Sequence, residues 1–251
     1  MAVNLFEQYG IKEVADVQFE DLTTGQVVLY LDTLKVSTLE TTAEQTEAKG
    51  GKGNPPLIIW DFGKEISVTL EDALFSMTSL AIGQGATIST LTTGSIPVRY
   101  TQEITLTTTT PTGVKTLATG ANKISYINLT TGLKGTVAAM TGLISTSLVG
   151  AAGDKVKIFY DIDAVAANSV TVTIGPNTFP GTYKVIGDTF IRSKTDLKDY
   201  PYQFIIGQAK ITSENTLTLE AEGDPTVFNM SLRVLRDANG EMMKFIKYSL
   251  T

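Results

Sequence analysis

Apolar and polar residues alternate over segment after segment of this chain, and that period constrains its fold more than any other feature. Apolar side chains stand at every second position of residues 228–234, as a strand with one buried face requires. The same period recurs in four other segments, residues 27–31, 66–70, 183–191 and 202–206. About seven such segments lie outside the middle of the chain, enough for a sandwich or barrel. The sequence therefore predicts a mainly β fold.

One segment changes to helical spacing. The apolar residues that recur at that spacing are Leu70, Leu74, Met77 and Leu80. Thr69 suits the N-cap, and Glu71 and Asp72 suit the positive end of the helix dipole. Trp60, the only tryptophan, is predicted to be buried against this helix, with an interface role as the alternative. We expect one helix across an open side of the β core, packed through Trp60, Leu70, Leu74 and Met77.

A glycine-rich segment before this region predicts a protruding, mobile arm. Residues 46–56 carry three glycines interspersed with polar residues, and two prolines close the segment. Proline has no N–H to give to a ladder, so this segment cannot run as an interior strand. The arm residues of interest are Lys49, Gly50, Gly51, Lys52, Gly53 and Asn54. An apolar run follows at 57–60, and residues 61–63 are expected to bend the chain.

The middle of the chain differs in composition from both ends. From residue 83 to about 153 it is dominated by Thr, Ser, Gly and Ala, yet its apolar residues still fall at strand period. We predict a core domain of residues 1–82 and 176–251 that carries a β-rich insertion, residues 83–175. Two consecutive domains and a flexible low-complexity spacer are the alternatives.

The residue types that the chain lacks exclude several kinds of catalytic and metal-binding site. The chain of 251 residues has no cysteine and no histidine, which removes thiol nucleophiles, disulfides, imidazole ligands and every histidine base. Gly50–Asn54 lacks the Ser or Thr of a phosphate-binding loop, and Asp161 and Asp163 have no further acids nearby to form a cation site. We expect no enzyme, no cofactor and no metal.

Charge and hydropathy limit the partners. A net charge of −6 argues against a groove that grips nucleic-acid phosphates. The N-terminus has no signal-peptide pattern, and no segment approaches the length of a membrane span. The expectation is a protein made in the cytoplasm that does not enter a membrane.

Three segments together carry a resemblance to a known family. They are GGKGNPPLIIWDFGKEISVTLEDALFS, FPGTYKVIGDTFIRSKTD and AEGDPTVFNMSLRVLRDANGEMMKFIKY. They resemble the major tail or tail-tube protein of long-tailed bacteriophages that infect Gram-positive bacteria. The resemblance implies a β-sandwich or barrel subunit with a flanking helix. It also implies stacked hexameric rings around a channel through which DNA leaves the capsid. The middle region resembles the variable immunoglobulin-like or loop insertions of such proteins.

The resemblance also implies a location and partners. The protein would assemble in the host cytoplasm and reside in the virion tail. Its partners would be copies of itself and other tail proteins, namely the tape measure, the terminator, the baseplate or distal tail protein and the sheath. DNA would pass without specific binding, because an acidic lumen repels phosphate. Candidate lumen acids are Glu65, Glu71, Glu220 and Glu222, although surface exposure is the better explanation for any single one of them.

The arm has a physical role in such an assembly. A glycine-rich segment is entropically costly to order alone and suits a contact that orders against the next ring. Residues 49–54 are therefore predicted as an inter-ring contact. Competing hypotheses are a monomeric carbohydrate- or cell-surface-binding β module, another virion structural protein such as a decoration protein, and a metal-independent glycosidase that uses paired carboxylates.

Overall fold

The computed structural model describes most of the chain, and its contacts divide the chain into two compact units. The described residues are 6–90, 93–107, 115–119, 123–140, 143–144, 150–165, 167, 169–212 and 227–249. One unit comprises Met1–Ile88 and Val172–Thr251, and the other comprises Ser89–Thr171. Whether these units are independent domains, as expected for 1–82 with 176–251 and for 83–175, stays a prediction.

The described elements are almost entirely strands. They are β1 (Tyr9–Ile11), β2 (Asp16–Asp21), β3 (Val27–Leu31), β4 (Leu34–Lys49), β5 (Pro56–Asp72), α1 (Met77–Gln84), β6 (Thr87–Thr90), β7 (Ser95–Thr105), β8 (Lys123–Asn128), β9 (Lys134–Met140), β10 (Leu143–Ile144), β11 (Lys155–Val165), β12 (Val170–Thr173), β13 (Thr182–Ser193), β14 (Asp199–Ile211), β15 (Phe228–Leu235) and β16 (Lys244–Lys247). A mainly β fold with one helix in the described residues confirms the predicted class. The strand expected at residues 217–221 lies outside the described residues.

The first unit is built on one nine-stranded antiparallel sheet. Strands β3, β2, β13, β14, β15, β5 and β4 follow one another across it, while β1 pairs with β13 and β16 with β14. The alternation read from the sequence is its cause, because every second side chain faces one core. The largest buried side chains of that core include Phe19, Leu70, Ile206, Ile211, Phe228, Met230 and Leu232.

The sheet curls until its two ends meet at one corner. β3 and β4 are its terminal strands, yet only Asp32 and Thr33 connect them. Ala73 N donates to the Thr33 carbonyl at 3.0 Å, and the Thr33 hydroxyl donates to the buried carboxylate of Asp72. The described strands form no closed barrel, so β3 and β4 each keep one unpaired edge.

The last two strands of the chain are joined by a turn but do not form a hairpin. Residues 237–240 form a turn in which Asp237 N donates to the Glu241 carbonyl at 2.9 Å. β16 does not return along β15, however. Both strands pair antiparallel with β14, β15 through Gln208–Ile211 and β16 through Tyr202–Ile205. The turn is therefore an excursion between two collinear strands, and local turn chemistry alone could not distinguish it from a hairpin.

The helix begins later than expected. β5 continues through Asp72, and α1 starts after Ser76, whose hydroxyl accepts a hydrogen bond from Ser79 N at 2.9 Å while Ser76 N donates to Ser79 Oγ at 2.8 Å. The predicted N-cap at Thr69 is wrong, because Leu70 belongs to the strand period and is buried in the sheet core. Leu74 and Met77 are exposed. In the described residues, no helix has the length and apolar character that crossing a membrane requires.

The second unit has its own five-stranded sheet, in the order β10, β9, β8, β11 and β7. Ile104 and Leu106 point inward, and they pack in a core with Ile124, Ile158 and Tyr160. At one end, Asn128 Nδ2 and Ala151 N each donate to the Asp154 carboxylate at 2.9 Å. These hydrogen bonds hold the pKa of Asp154 below its usual range. β6 and β12 pair with each other where the chain leaves and re-enters the first unit.

Candidate interaction surface

The arm is the end of a long β-hairpin and not a loop that starts at Thr46. β4 and β5 pair from Leu34↔Asp72 to Lys49↔Pro56. Only residues 50–55 lie outside the two strands. Pro56 is tolerated because it is the first residue of its strand. The sequence pattern did not predict the outer part of β4, because its side chains are polar on both faces.

The hairpin has two parts with different neighbours. β15 pairs with β5 from Phe228↔Asp72 to Arg233↔Ser67 and no further. We call residues 34–41 with 66–72 the inner half, and residues 42–49 with 56–65 the outer half. In the described structure the outer half is a two-stranded ribbon, and its ten residues of β5 span about 30 Å at the usual rise per residue.

A bulge separates the two halves. Thr42 pairs with Glu65 and Glu44 with Phe62, so Gly63 and Lys64 oppose Ala43 alone. Gly63 has φ +62°, a conformation that glycine adopts without strain. The bend predicted at residues 61–63 is therefore present as a β-bulge within a continuous strand. Beside it, Glu65 forms an ion pair with Arg233 that ties the start of the outer half to β15.

The outer half exposes apolar side chains on both faces. Its five large apolar side chains are between 50% and 65% exposed: Leu57, Ile58, Ile59, Trp60 and Phe62. Ile58, Trp60 and Phe62 share one face, opposite Ala48, Thr46 and Glu44 of β4. Strands that are apolar on both faces normally lie buried on both. The burial predicted for Trp60 against the helix is therefore wrong for this subunit.

The tip of the hairpin is a closed turn. Gly50 N donates to the Pro55 carbonyl at 3.2 Å and Asn54 N to the Gly51 carbonyl at 3.1 Å. Gly51, Gly53 and Asn54 all have positive φ, which explains their residue types. Lys49 forms an exposed ion pair with Glu47 at 2.9 Å. The predicted contact residues 49–54 thus lie together at the far end of the ribbon.

A groove lies at the base of the same hairpin, within the first unit. It has a volume of about 440 Å³ and lies between the β1–β2 connection, the start of β4 and β16. The base groove is lined by Ile11, Lys12, Glu13, Val14, Ala15, Lys35, Val36, Ser37, Thr38, Leu39, Val68, Thr189, Tyr202, Phe204, Met243 and Phe245. The rings of Tyr202 and Phe245 stack with centroids 5.9 Å apart. Its residues come from distant parts of the sequence, so no local motif could have predicted it.

The candidate lumen acids are not brought together. Glu65 is exposed and paired with Arg233, and Glu71 is half-buried on β5 opposite Asn229. Glu220 and Glu222 lie outside the described residues. Whether any of the four faces a channel stays a prediction.

The carboxylates considered for chemistry have other partners. Asp161 pairs with Arg99 at 3.1 Å, and Asp163 accepts a hydrogen bond from Thr119 N at 3.1 Å. No cluster of acids that could hold a metal occurs in the described part of the chain. Glu7 accepts hydrogen bonds from the hydroxyls of Ser193 and Tyr9, which hold its pKa below the usual range. These hydrogen bonds tie the start of the chain to β13, and they give the lowered pKa of Glu7 a structural cause.

Comparison with known proteins points to one family. The model of the YomU/Tube protein family matches residues 9–247, nearly the whole chain. A tail tube protein of Bacillus phage SPR is 36% identical over 78 residues. That match covers 31% of this chain and 29% of the phage protein, so the chain aligns with less than a third of this relative's length.

Proposed function

The chain belongs to the YomU/Tube protein family, and on this premise we propose that it polymerises as stacked hexameric rings into the tube of a phage tail. Family membership and the phage relative support a structural, non-enzymatic protein of the virion tail. The tube, its six-fold rings and its role as the channel for DNA ejection are the finer part of the proposal.

The observation that carries the proposal is the outer half of the β4–β5 hairpin. An exposed ribbon with apolar side chains on both faces is incomplete as a monomer surface and matches an assembly contact. The open edges of β3 and β4 support ring formation independently, because unpaired edges invite pairing with another chain. The two edges differ, so their contact is heterologous and closes into a ring when the rotation allows it.

We place the contact between successive rings at the hairpin tip, residues 49–54. The tip projects farthest along the ribbon and carries Lys49 and Lys52. Its closed turn means that little chain entropy is lost on contact, in contrast to a mobile arm.

The lumen is proposed to be acidic. The net charge of −6 favours a channel wall that repels phosphate and lets DNA slide. Glu71, Glu220 and Glu222 remain candidates for that wall, whereas the charge of Glu65 is partly neutralised by Arg233. The remaining tail proteins, from tape measure to baseplate, would contact the ends or the outside of the tube.

Electron microscopy of the purified protein at physiological salt tests the proposal. We expect six-fold rings or tubes, and a strictly monomeric species at high concentration would contradict it. Replacing Gly50–Pro55 by Asn-Gly keeps a two-residue hairpin turn while removing the tip. Rings that no longer stack would support the tip as the inter-ring contact, and tubes that grow with normal kinetics would refute that assignment.

A further inference from the structure

We propose that the Ile58–Trp60–Phe62 face of one copy's hairpin binds in the base groove of a neighbouring copy. This inference rests on the proposed function, because it names the partner surface of the same hairpin. It differs from the tip contact, since the apolar ribbon and not the glycine-rich turn supplies the binding surface.

The two surfaces have complementary shape and chemistry. The hairpin is a protruding ribbon, and the base groove is a concave surface whose volume lies in the range of clefts that enclose a drug-sized ligand. The groove exposes apolar side chains of its own, with Val36 41%, Leu39 42% and Phe245 50% exposed. Two partly exposed apolar surfaces on a chain that assembles with itself are best removed from water by each other.

The charged residues beside the two surfaces favour the same contact between hairpin and groove. Lys12 and Lys35 line the groove against a single acid, Glu13. Glu44 lies opposite Phe62 on the proposed binding face, and among the described residues it forms no ion pair with a lysine or arginine. A lysine at the groove rim can therefore meet this carboxylate when the apolar side chains bind.

A hairpin cannot reach the groove of its own subunit. The groove begins at the base of the hairpin, whereas Trp60 pairs with Thr46, about 23 Å from Leu39 along the strand. The ladder between them is continuous apart from the bulge at Gly63. Since the donor and acceptor surfaces share no residue, each copy can bind one neighbour with its hairpin and another with its groove. Such a heterologous contact propagates through an assembly and does not stop at a dimer.

Charge reversal across the contact provides the first test. Glu44→Lys and Lys35→Glu should each weaken polymerisation, and the double variant should recover part of the loss. Trp60→Glu should raise the protein concentration needed for assembly by about tenfold or more, because it removes an aromatic side chain that the proposed contact buries. Leu133→Glu is the matched control, since Leu133 and Trp60 are both 51% exposed and Leu133 lies in the other unit.

Disulfide trapping provides the direct test, because the natural chain contains no cysteine. Phe245→Cys is combined in turn with Ile58→Cys, Trp60→Cys and Phe62→Cys, and the assembled protein is oxidised with copper phenanthroline. We expect a ladder of covalent multimers on a non-reducing gel for at least one pair, and none for Leu133→Cys with Phe245→Cys.

The outcomes separate this inference from the proposed function. If the natural protein forms tubes but no cysteine pair cross-links and the groove variants assemble normally, the groove is not the partner surface and the tube proposal survives. If the natural protein forms neither rings nor tubes, both proposals fail together.

Discussion

The two halves of the β4–β5 hairpin share the same pair of strands and differ in what lies beside them. In the inner half, Ile66, Val68 and Leu70 are buried because β15 extends the sheet and the core covers one face. In the outer half, Trp60 and its apolar neighbours stay half exposed because no strand in the described part of the chain pairs beside the ribbon. Apolar character in a strand therefore indicates a need for burial, which a single subunit need not satisfy.

Removing an inner-half side chain should have the largest effect on the unassembled protein. We expect Leu70→Ala to lower its free energy of unfolding by about 2–5 kcal/mol, because it leaves a cavity in the sheet core. Urea denaturation of dilute, unassembled protein measures this. A loss below about 0.5 kcal/mol would mean that the inner half does not depend on its core.

Substituting the bulge between the halves should have an intermediate effect. A Cβ on Gly63 meets only the Glu44 side chain at ordinary contact distance, so the cost of Gly63→Ala comes from its left-handed backbone. We expect about 1–2 kcal/mol of destabilisation by the same denaturation measurement. Gly63→Asn, which tolerates this conformation better, is the control and should lose less.

Acid should weaken the sheet at the turn between β2 and β3. Hydrogen bonds from Thr24 N, the Thr24 hydroxyl and Thr23 N lower the pKa of Asp21, in the β2–β3 turn. A folded-state pKa below the unfolded value stabilises the protein above the unfolded pKa, and this contribution is lost as the pH falls through the folded pKa.

Asp21→Asn should therefore reduce stability at neutral pH and flatten the decline in acid. Unfolding midpoints measured between pH 7 and pH 2 check this expectation. An unchanged pH profile in the variant would show that this turn does not contribute to acid unfolding.

An outer-half substitution should have the smallest effect on the isolated subunit. We expect Trp60→Ala to change its unfolding free energy by less than about 0.5 kcal/mol, since the side chain is half exposed. The same variant should assemble poorly, as sedimentation of polymerised protein would reveal. A large loss of subunit stability with normal assembly would mean that the outer half stabilises the subunit and does not serve assembly.

Strand period predicted the parts of the fold that one subunit completes by itself. The buried residues of β15 follow the predicted alternation, because one face of this strand lies in the core and the other does not. The outer half of β4 was missed because both of its faces are exposed, so no alternation is imposed on its sequence. The apolar run at residues 57–60 was the available signal, since an unbroken run indicates burial on both faces.

The helix and the groove show two further limits of structure prediction from local sequence patterns. The spacing of Leu70, Leu74 and Met77 matched a helix by coincidence. Residues 66–70 also alternate as a strand, and the pairing of β5 with β15 decides in favour of the strand. The Ser76–Ser79 capping box has a serine where the usual sequence motif has Glu or Gln, so its sequence does not indicate the cap. The base groove depends on how a curled sheet brings residues 11–15, 35–39 and 245 together, which local patterns do not encode.

The paired strands β6 and β12 have a consequence for how such a gene can change. Paired strands lie about 5 Å apart, so the chain leaves for residues 89–171 and returns at nearly the same place. A segment attached in this way can be lengthened, exchanged or lost without shifting the register of any strand in the nine-stranded sheet. If the chain polymerises as proposed, this segment can therefore vary freely while the hairpin and the base groove stay under constraint.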